Sequence, residues 1–261
     1  MKVLSLNIWG GKIHKPLFEF IESQTNDVDV FCFQEVFKSG KDFFNNYDRL
    51  DILSDIKSLS KNYNVYYSPV IEGTNLSEWV DYEIYWGLAT FVKKSIKVLS
   101  EGSFFVFRNY NKKFTLIHKL KDKNDYVDVP RIFHYVIVEE EGKKKLIANL
   151  HGYWIPDSKL DTPERIEQSK KIVKFLNSQE MQKIVCGDFN LNPDTKSMMM
   201  FDDNMINLIT KHNIKNTRSN LHTRKDKFAD YILVSKDVKV KKFEVIKKDV
   251  SDHLPLYLEF N

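Results

Sequence analysis

V-C-G-D-F-N-L-N-P, residues 185–193, runs from two apolar residues through a glycine into an acid, with a carboxamide two positions later. Taken alone it is a buried strand that ends in a turn, because Asp and Asn bond their own backbone two residues on and open turns readily. The same arrangement recurs along the chain, and the recurrence changes its meaning. Leu4–Ser5–Leu6 runs into Asn7. Val30–Phe31–Cys32–Phe33 runs into Gln34 and Glu35, and Leu146–Ile147–Ala148 runs into Asn149, Leu150 and His151. Phe228–Ala229 is followed by Asp230, and Val250–Ser251 by Asp252 and His253. If these strand ends converge, they form a pocket of carboxylates and amides with two imidazoles beside it.

Such a pocket suits a hard divalent cation. Mg²⁺ takes oxygen ligands, keeps several waters and is held by one or two carboxylates. Glu35 is the natural anchor, because the doubly apolar strand before it holds it rigidly. Zinc fits less well, since the chain offers neither a metal-type cysteine spacing nor a closely spaced histidine pair.

Periodicity gives the order of elements. Strands are predicted at Lys2–Ile8, Val28–Phe33, Val65–Ser68 and Leu88–Lys93, the last two separated by a polar and aromatic insertion, Glu72–Trp86. Further strands are predicted at Ile96–Phe107, Phe114–Leu120, Ile132–Glu139, Lys144–Leu150, Lys183–Cys186, Tyr231–Val234, Val238–Ile246 and Leu254–Phe260. Helices are predicted at Lys15–Ser23, Tyr47–Ser60 and Thr162–Asn177, with two short ones within Thr195–His212. Asp161 or Thr162 caps the third helix and Pro163 fits its first turn. Strands such as Val28–Phe33 are apolar on both faces and need cover on both sides. Two packed sheets with helices outside each would supply it.

The 261 residues contain no linker rich in Pro, Gly or Ser and no evident repeat, so one domain over 1–261 is the economical reading. The net charge of +4 is compatible with a polyanionic substrate. Only six of the 40 basic residues are Arg, which argues against sequence-specific reading of DNA bases while leaving Lys–phosphate attraction open. Cys32 and Cys186 sit in apolar runs and read as buried thiols rather than a disulfide framework. The first residues carry no apolar signal region, and no apolar run reaches the length of a membrane span. A cytoplasmic protein with no membrane association and no obligate protein partner is expected.

L-N-I-W at Leu6–Trp9, Q-E at Gln34–Glu35, N-L-H at Asn149–His151, G-D-F-N at Gly187–Asn190, A-D-Y-I at Ala229–Ile232 and S-D-H-L-P-L at Ser251–Leu256 occur in that order. The ordered set resembles the endonuclease/exonuclease/phosphatase superfamily. Its members include deoxyribonuclease I, abasic-site endonucleases, tyrosyl-DNA phosphodiesterases, deadenylases, inositol phosphatases and neutral sphingomyelinases. The resemblance implies an α/β fold, a four-layered α/β/β/α sandwich of two packed mixed β-sheets with helices on the outer faces. It also implies roles. Glu35 holds the divalent metal, with Asn7 beside it and Asp252 near the metal or a second metal position. Asp188 orients and deprotonates the attacking water, and Asn190 helps position water or phosphate. His253 donates to a phosphate oxygen, with Asp230 fixing its tautomer, and His151 faces the phosphate from the other side. His151 stands where abasic-site endonucleases carry Tyr, which moves the resemblance toward deoxyribonuclease I, sphingomyelinases and tyrosyl phosphodiesterases.

So many parts are needed because phosphate ester hydrolysis is among the slowest uncatalysed reactions. General acid–base catalysis supplies only about 10²–10⁴-fold, and a metal with fixed donors must supply much of the rest. The expected activity is Mg²⁺-dependent phosphodiester hydrolysis in nucleic acid, with Mn²⁺ as an alternative cofactor. The rival readings are a phosphoesterase for a small or lipid phosphate and an inactive nucleic-acid-binding module. Trp9, Tyr153 and Trp154 could stack on a base or simply pack, and Trp79 and Trp86 could wall the substrate or lie in a surface hairpin. Lys143–Lys145 reads as a solvated turn, and Arg165 and Gln168 as structural residues.

Overall fold

The computed structural model describes residues 1–45, 48–76, 80–108 and 129–261. In chain order the strands are β1 (Lys2–Asn7), β2 (Val30–Ser39), β3 (Phe44–Asn45), β4 (Asp48–Arg49), β5 (Tyr63–Glu72), β6 (Ile84–Lys93), β7 (Lys97–Phe107), β8 (Arg131–Glu140), β9 (Lys143–His151), β10 (Gln182–Asp188), β11 (Met205–Asn207), β12 (Asp230–Ser235), β13 (Val240–Val245) and β14 (Leu256–Phe260). The helices are α1 (His14–Gln24), α2 (Ile52–Leu59), α3 (Pro163–Asn177), α4 (Lys196–Met199) and α5 (Leu208–Lys211). The expected strand Phe114–Leu120, Trp79 and the start of the helix expected at Tyr47 lie outside the described residues.

Two six-stranded sheets form, ordered β13-β14-β1-β2-β6-β5 and β11-β12-β10-β9-β8-β7. Each contains one parallel pair, β1 with β2 and β9 with β10, and antiparallel neighbours elsewhere. A parallel pair needs a crossover, and α1 and α3 supply the two crossovers. Alternation sorts the side chains of β1 and β2 onto two faces. Val3, Val30 and Cys32 join the core between the sheets, with Val136, Ile147, Ile184 and Cys186. Leu4, Leu6, Phe31 and Phe33 face Leu17, Ile21, Ile52 and Ile56 of α1 and α2. On the far side α3 packs Ile172 and Leu176 onto the second sheet. The result is the four-layered α/β/β/α sandwich that the motifs imply. Cys32 and Cys186 are both buried free thiols.

A polar clasp crosses the core beneath the strand ends. Gln34 Nε2 donates to Asn149 Oδ1 at 2.7 Å, and Asn149 Nδ2 donates to the carbonyls of Phe33 at 3.1 Å and Ala89 at 3.3 Å. Buried amides that are paired across an interface fix its register. This clasp holds the ends of β1 and β2 level with those of β9 and β10.

Three local expectations are corrected. β2 does not stop at Phe33; it bulges at Gln34–Glu35 and pairs with β6 as far as Ser39. The helix before Ser60 begins only at Ile52, because 48–49 pair with 44–45 as a small hairpin and the Arg49 guanidinium bonds Asp55 at 2.7 Å. Lys145 is not solvated: it is 3 % exposed and pairs with Glu140, while Lys143 and Lys144 are exposed.

Candidate active site

The strand-end residues named from the sequence meet at one end of the sandwich. Asn7 closes β1, His151 closes β9 and Asp188 closes β10. Asp230 opens β12 directly opposite Asp188, and the Ser251–Asp252–His253 turn precedes β14. Glu35 sits in the β2 bulge with φ +60°. A bulge re-aims one side chain without ending the strand, and this one turns the Glu35 carboxylate to the pocket.

Asn7 bridges the two sheets' acids. Its Nδ2 donates to Glu35 Oε1 at 3.0 Å and to Asp188 Oδ2 at 3.2 Å, while its Oδ1 accepts from the Trp9 N–H at 3.0 Å. Asn7 therefore serves here as a donor between carboxylates. Burial raises the Glu35 pKa, and the charges of Asp252 and Asp188 raise it further against the Asn7 bond. That excess negative charge, offered by hard oxygens on a side chain 26 % exposed, fits a divalent cation. Glu35 and Asp252 would hold it, with Asn7 alongside.

His253 and Asp230 form a buried pair: Nδ1 lies 2.9 and 2.8 Å from the two Asp230 oxygens. Burial and the nearby Arg218 lower the His253 pKa, but Asp230 and Asp252 outweigh them and leave it raised. Nε2 then faces Asp188 Oδ2 and Asp252 Oδ1, each at 3.7 Å. Asp188, Asp230 and His253 also offer three ligand atoms within 4.8 Å of one another, but the Asp230–His253 bond already accounts for their closeness. For Asp188, burial would raise the pKa; His253, Lys159 and Arg218 together hold it well below the usual carboxylate range. Its Oδ1 accepts from the Asn190 N–H at 2.9 Å. An ionised Asp188 is the form a water-activating base requires.

His151 differs from His253. Burial and the Arg131 charge depress its pKa well below the usual value, which favours the neutral imidazole. Its Nε2 lies 3.8 Å from Glu35 Oε1 and 3.7 Å from Asp188 Oδ2, and its ring rests 5.3 Å from that of Trp86.

Four cations at the site escaped the sequence reading. Arg131 is 5 % exposed, and its Nε and Nη1 have no hydrogen-bond partner among the described residues. It lies over the Trp86 ring at 5.4 Å, and burial lowers its pKa to about 10. Arg218 contacts His253 Nε2 and bonds Asp226 at 3.1 and 3.2 Å. His222 bonds Asp226 at 3.1 Å and lies 3.6 Å from Asp252. Lys159 bonds Asn190, and burial lowers its pKa to about 8. The one sequence signal was the polar run R-S-N-L-H-T-R at 218–224, which carries no periodicity.

Arg131, Arg218 and His222, with Glu35, His151, Asp188, Asn190, Asp252 and His253, line a cavity of about 500 Å³ whose walls also include Trp9, Trp86, Trp154 and the segment Leu221–Arg224. Trp154 lies under the Arg224 guanidinium at 5.1 Å. Tyr153 instead packs, stacked on Phe107 at 3.9 Å and 4 % exposed. Arg165 and Gln168 are structural, as expected. Arg165 donates to the carbonyls of Tyr153, Leu160 and Ser158, and Gln168 accepts from the Tyr153 N–H at 2.8 Å. Thr162 caps α3, while Asp161 accepts from the Lys196 and Ser197 N–H groups at the start of α4.

Residues 4–253 match the model of the Endonuclease/Exonuclease/phosphatase family. The chain belongs to that family. Members of the endonuclease/exonuclease/phosphatase family are divalent-metal-dependent hydrolases of phosphoric esters, and this chain is an enzyme of that class. Solved structures repeat the fold along the whole chain. A mannosyl-6-phosphatase from Bacteroides thetaiotaomicron VPI-5482 aligns with a TM-score of 0.69 at 18% identity, covering 100% of this chain and 99% of that one. A family protein from Leptotrichia buccalis C-1013-b aligns at 0.70 and 18%, covering 100% and 99%. TDP2 from D. rerio, in complex with single-strand DNA product, aligns at 0.65 and 14%, covering 100% and 98%. No protein of curated function matches the sequence significantly. Among the described residues no helix is long and apolar enough to cross a membrane.

Proposed function

We propose that this enzyme is a Mg²⁺-dependent phosphodiesterase acting on nucleic acid, with its site carried by one domain over residues 1–261. The observation that carries the reading is the bridge from Asn7 to both Glu35 and Asp188, with the Asp230–His253 pair 3.7 Å from Asp188. It supports an oxygen-rich cation site, a general base and a donor around one small volume. Glu35 and Asp252 would hold the metal, with Asn7 beside it fixing the Glu35 carboxylate, and the metal would supply Lewis-acid stabilisation of the charge that builds on the phosphate. Asp188 orients and deprotonates the attacking water. His253, whose pKa Asp230 and Asp252 raise, donates to a phosphate oxygen. His151, neutral, donates one further hydrogen bond. Asn190 positions water or phosphate. Arg131, whose Nε and Nη1 lack hydrogen-bond partners among the described residues, favours an anionic substrate, and the half-buried Trp9 and Trp154 offer ring surface for stacking.

A second reading is hydrolysis of a small phosphate ester, such as a phosphosugar, nucleotide or lipid headgroup. It is favoured by the size of the cavity, about 500 Å³, which holds one such group without a duplex. The two readings separate on a substrate panel with Mg²⁺ or Mn²⁺ and with EDTA. The panel is single- and double-stranded DNA, RNA, 5′-tyrosyl DNA, phosphosugars, inositol phosphates and sphingomyelin. Cleavage of nucleic acid ahead of the small esters supports the first reading. The reverse order supports the second, and a metal-independent or absent activity on all of them contradicts both.

A further inference from the structure

The Asn190 amide is held in one sense, and the residue that holds it comes from another loop. Lys159, 6 % exposed, donates from Nζ to Asn190 Oδ1. An ammonium has donors and no acceptor. It therefore binds the carbonyl end of the amide and turns Nδ2 away. Nδ2 gives one hydrogen to Gly152 O at 3.2 Å, which leaves its other hydrogen for the pocket that Asn190 lines.

Lys159 is itself fastened at both ends. Its carbonyl accepts from the Asn192 N–H at 2.8 Å, so backbone and side chain both grip the turn after β10. Its Nζ lies 3.8 Å from Asp226 Oδ2, and Asp226 also binds Arg218 and His222. Behind it, Arg165 ties down the loop through the carbonyls of Ser158 and Leu160. A buried ammonium is costly unless paired, and this one is directed at a group of the proposed machinery.

We propose that Lys159 is a positioning residue: it locks Asn190 with its amide donor toward the substrate phosphate and couples that orientation to the 218–226 segment. Released from Lys159, the amide would be held only by the Gly152 bond, and a turned amide would present an oxygen to a phosphate oxygen, which repels it. The inference rests on the proposed function for its substrate, though not for its geometry.

A double-mutant cycle tests it, with bis(4-nitrophenyl) phosphate and Mn²⁺ as the probe. K159M is expected to lower kcat about 10- to 100-fold, the range for losing one charge-assisted hydrogen bond, with KM nearly unchanged. K159R, which still donates, should recover most of the rate. K159M in an N190A background should cost nothing beyond N190A alone. Wild-type kcat in K159M, or losses that multiply in the double variant, overturns the proposal. The Asn190 side-chain amide signal, assigned by its loss in N190A, reads the same point without turnover. It should shift and exchange faster in K159M, and an unchanged signal overturns the proposal. An enzyme inactive on every phosphoester would defeat the proposed function while this signal still decides the role of Lys159. K159A, which also removes the donor, replaces K159M if the latter fails to fold.

Discussion

Replacing Gly187 by alanine puts a methyl group where no atom fits. A Cβ there would lie 2.0 Å from Leu150 O and 3.0 Å from the Leu150 carbonyl carbon. Since a carbon–oxygen contact needs about 3.3 Å, β10 must move away from β9 by about 1 Å. The residue also has φ +134°, a conformation that side chains rarely adopt, at a cost of about 1–3 kcal/mol. Strain and loosened packing together predict a loss of about 3–5 kcal/mol, a large share of the roughly 5–15 kcal/mol that holds a domain together. Gly142 is the control. It has φ +74° and nothing within 4 Å, so G142A meets only the conformational cost of about 1–2 kcal/mol. Urea unfolding followed by circular dichroism measures both. The displacement also carries Asp188 and His151, which are register partners, and misplacement of about 1 Å costs on the order of 10²-fold in rate. If G187A proves no less stable than G142A, the close approach of β9 and β10 does not constrain the site.

Two further outcomes follow from the charged groups. D230N replaces an acceptor of the His253 Nδ1 bond by an amide, and burial and Arg218 then lower the His253 pKa unopposed by Asp230. The protonated donor is lost at a lower pH, kcat at pH 7 should fall about 10²-fold or more, and an NMR titration of His253 should move downward; a variant within fivefold of wild type speaks against the pair. Asp48 lines the same cavity, and burial raises its pKa from 3.8 to about 7 against the pull of Lys12. The folded state binds that proton more tightly, so stability is lost as pH rises from about 4 to 7, by at most about 4 kcal/mol. In EDTA, D48N should therefore gain stability over wild type as pH rises from 5 to 8, and a pH-independent difference contradicts the assignment.

Much of the site was legible because sheet strands end in register. Asn7, His151, Asp188 and Asp230 each close or open an apolar run; the pairing of β9, β10 and β12 levels three of those ends, and the packing of the first sheet onto the second brings Asn7 to Asp188. Glu35 was expected at the site and lies there, yet its bulge was not foreseen: Val36 and Phe37 continue the apolar pattern, and only the pairing with Trp86 and Gly87 shows that the strand goes on. The helix expected from Tyr47 failed because residues 48–49 take an extended form against 44–45, a tertiary choice that local propensity does not contain. Lys159, Arg218 and His222 come from irregular segments, where no period marks the inward side. Arg131 opens a strand after Pro130 and reads in sequence like any solvated edge residue; burial over Trp86 distinguishes it.

The most direct test is the Mg²⁺-dependent rate of the wild type, on its best phosphoester from the panel, against E35A and D188N. If Glu35 holds the metal and Asp188 activates the water, each variant loses about 10³-fold or more in kcat/KM while remaining folded. Equal rates in all three would contradict the site.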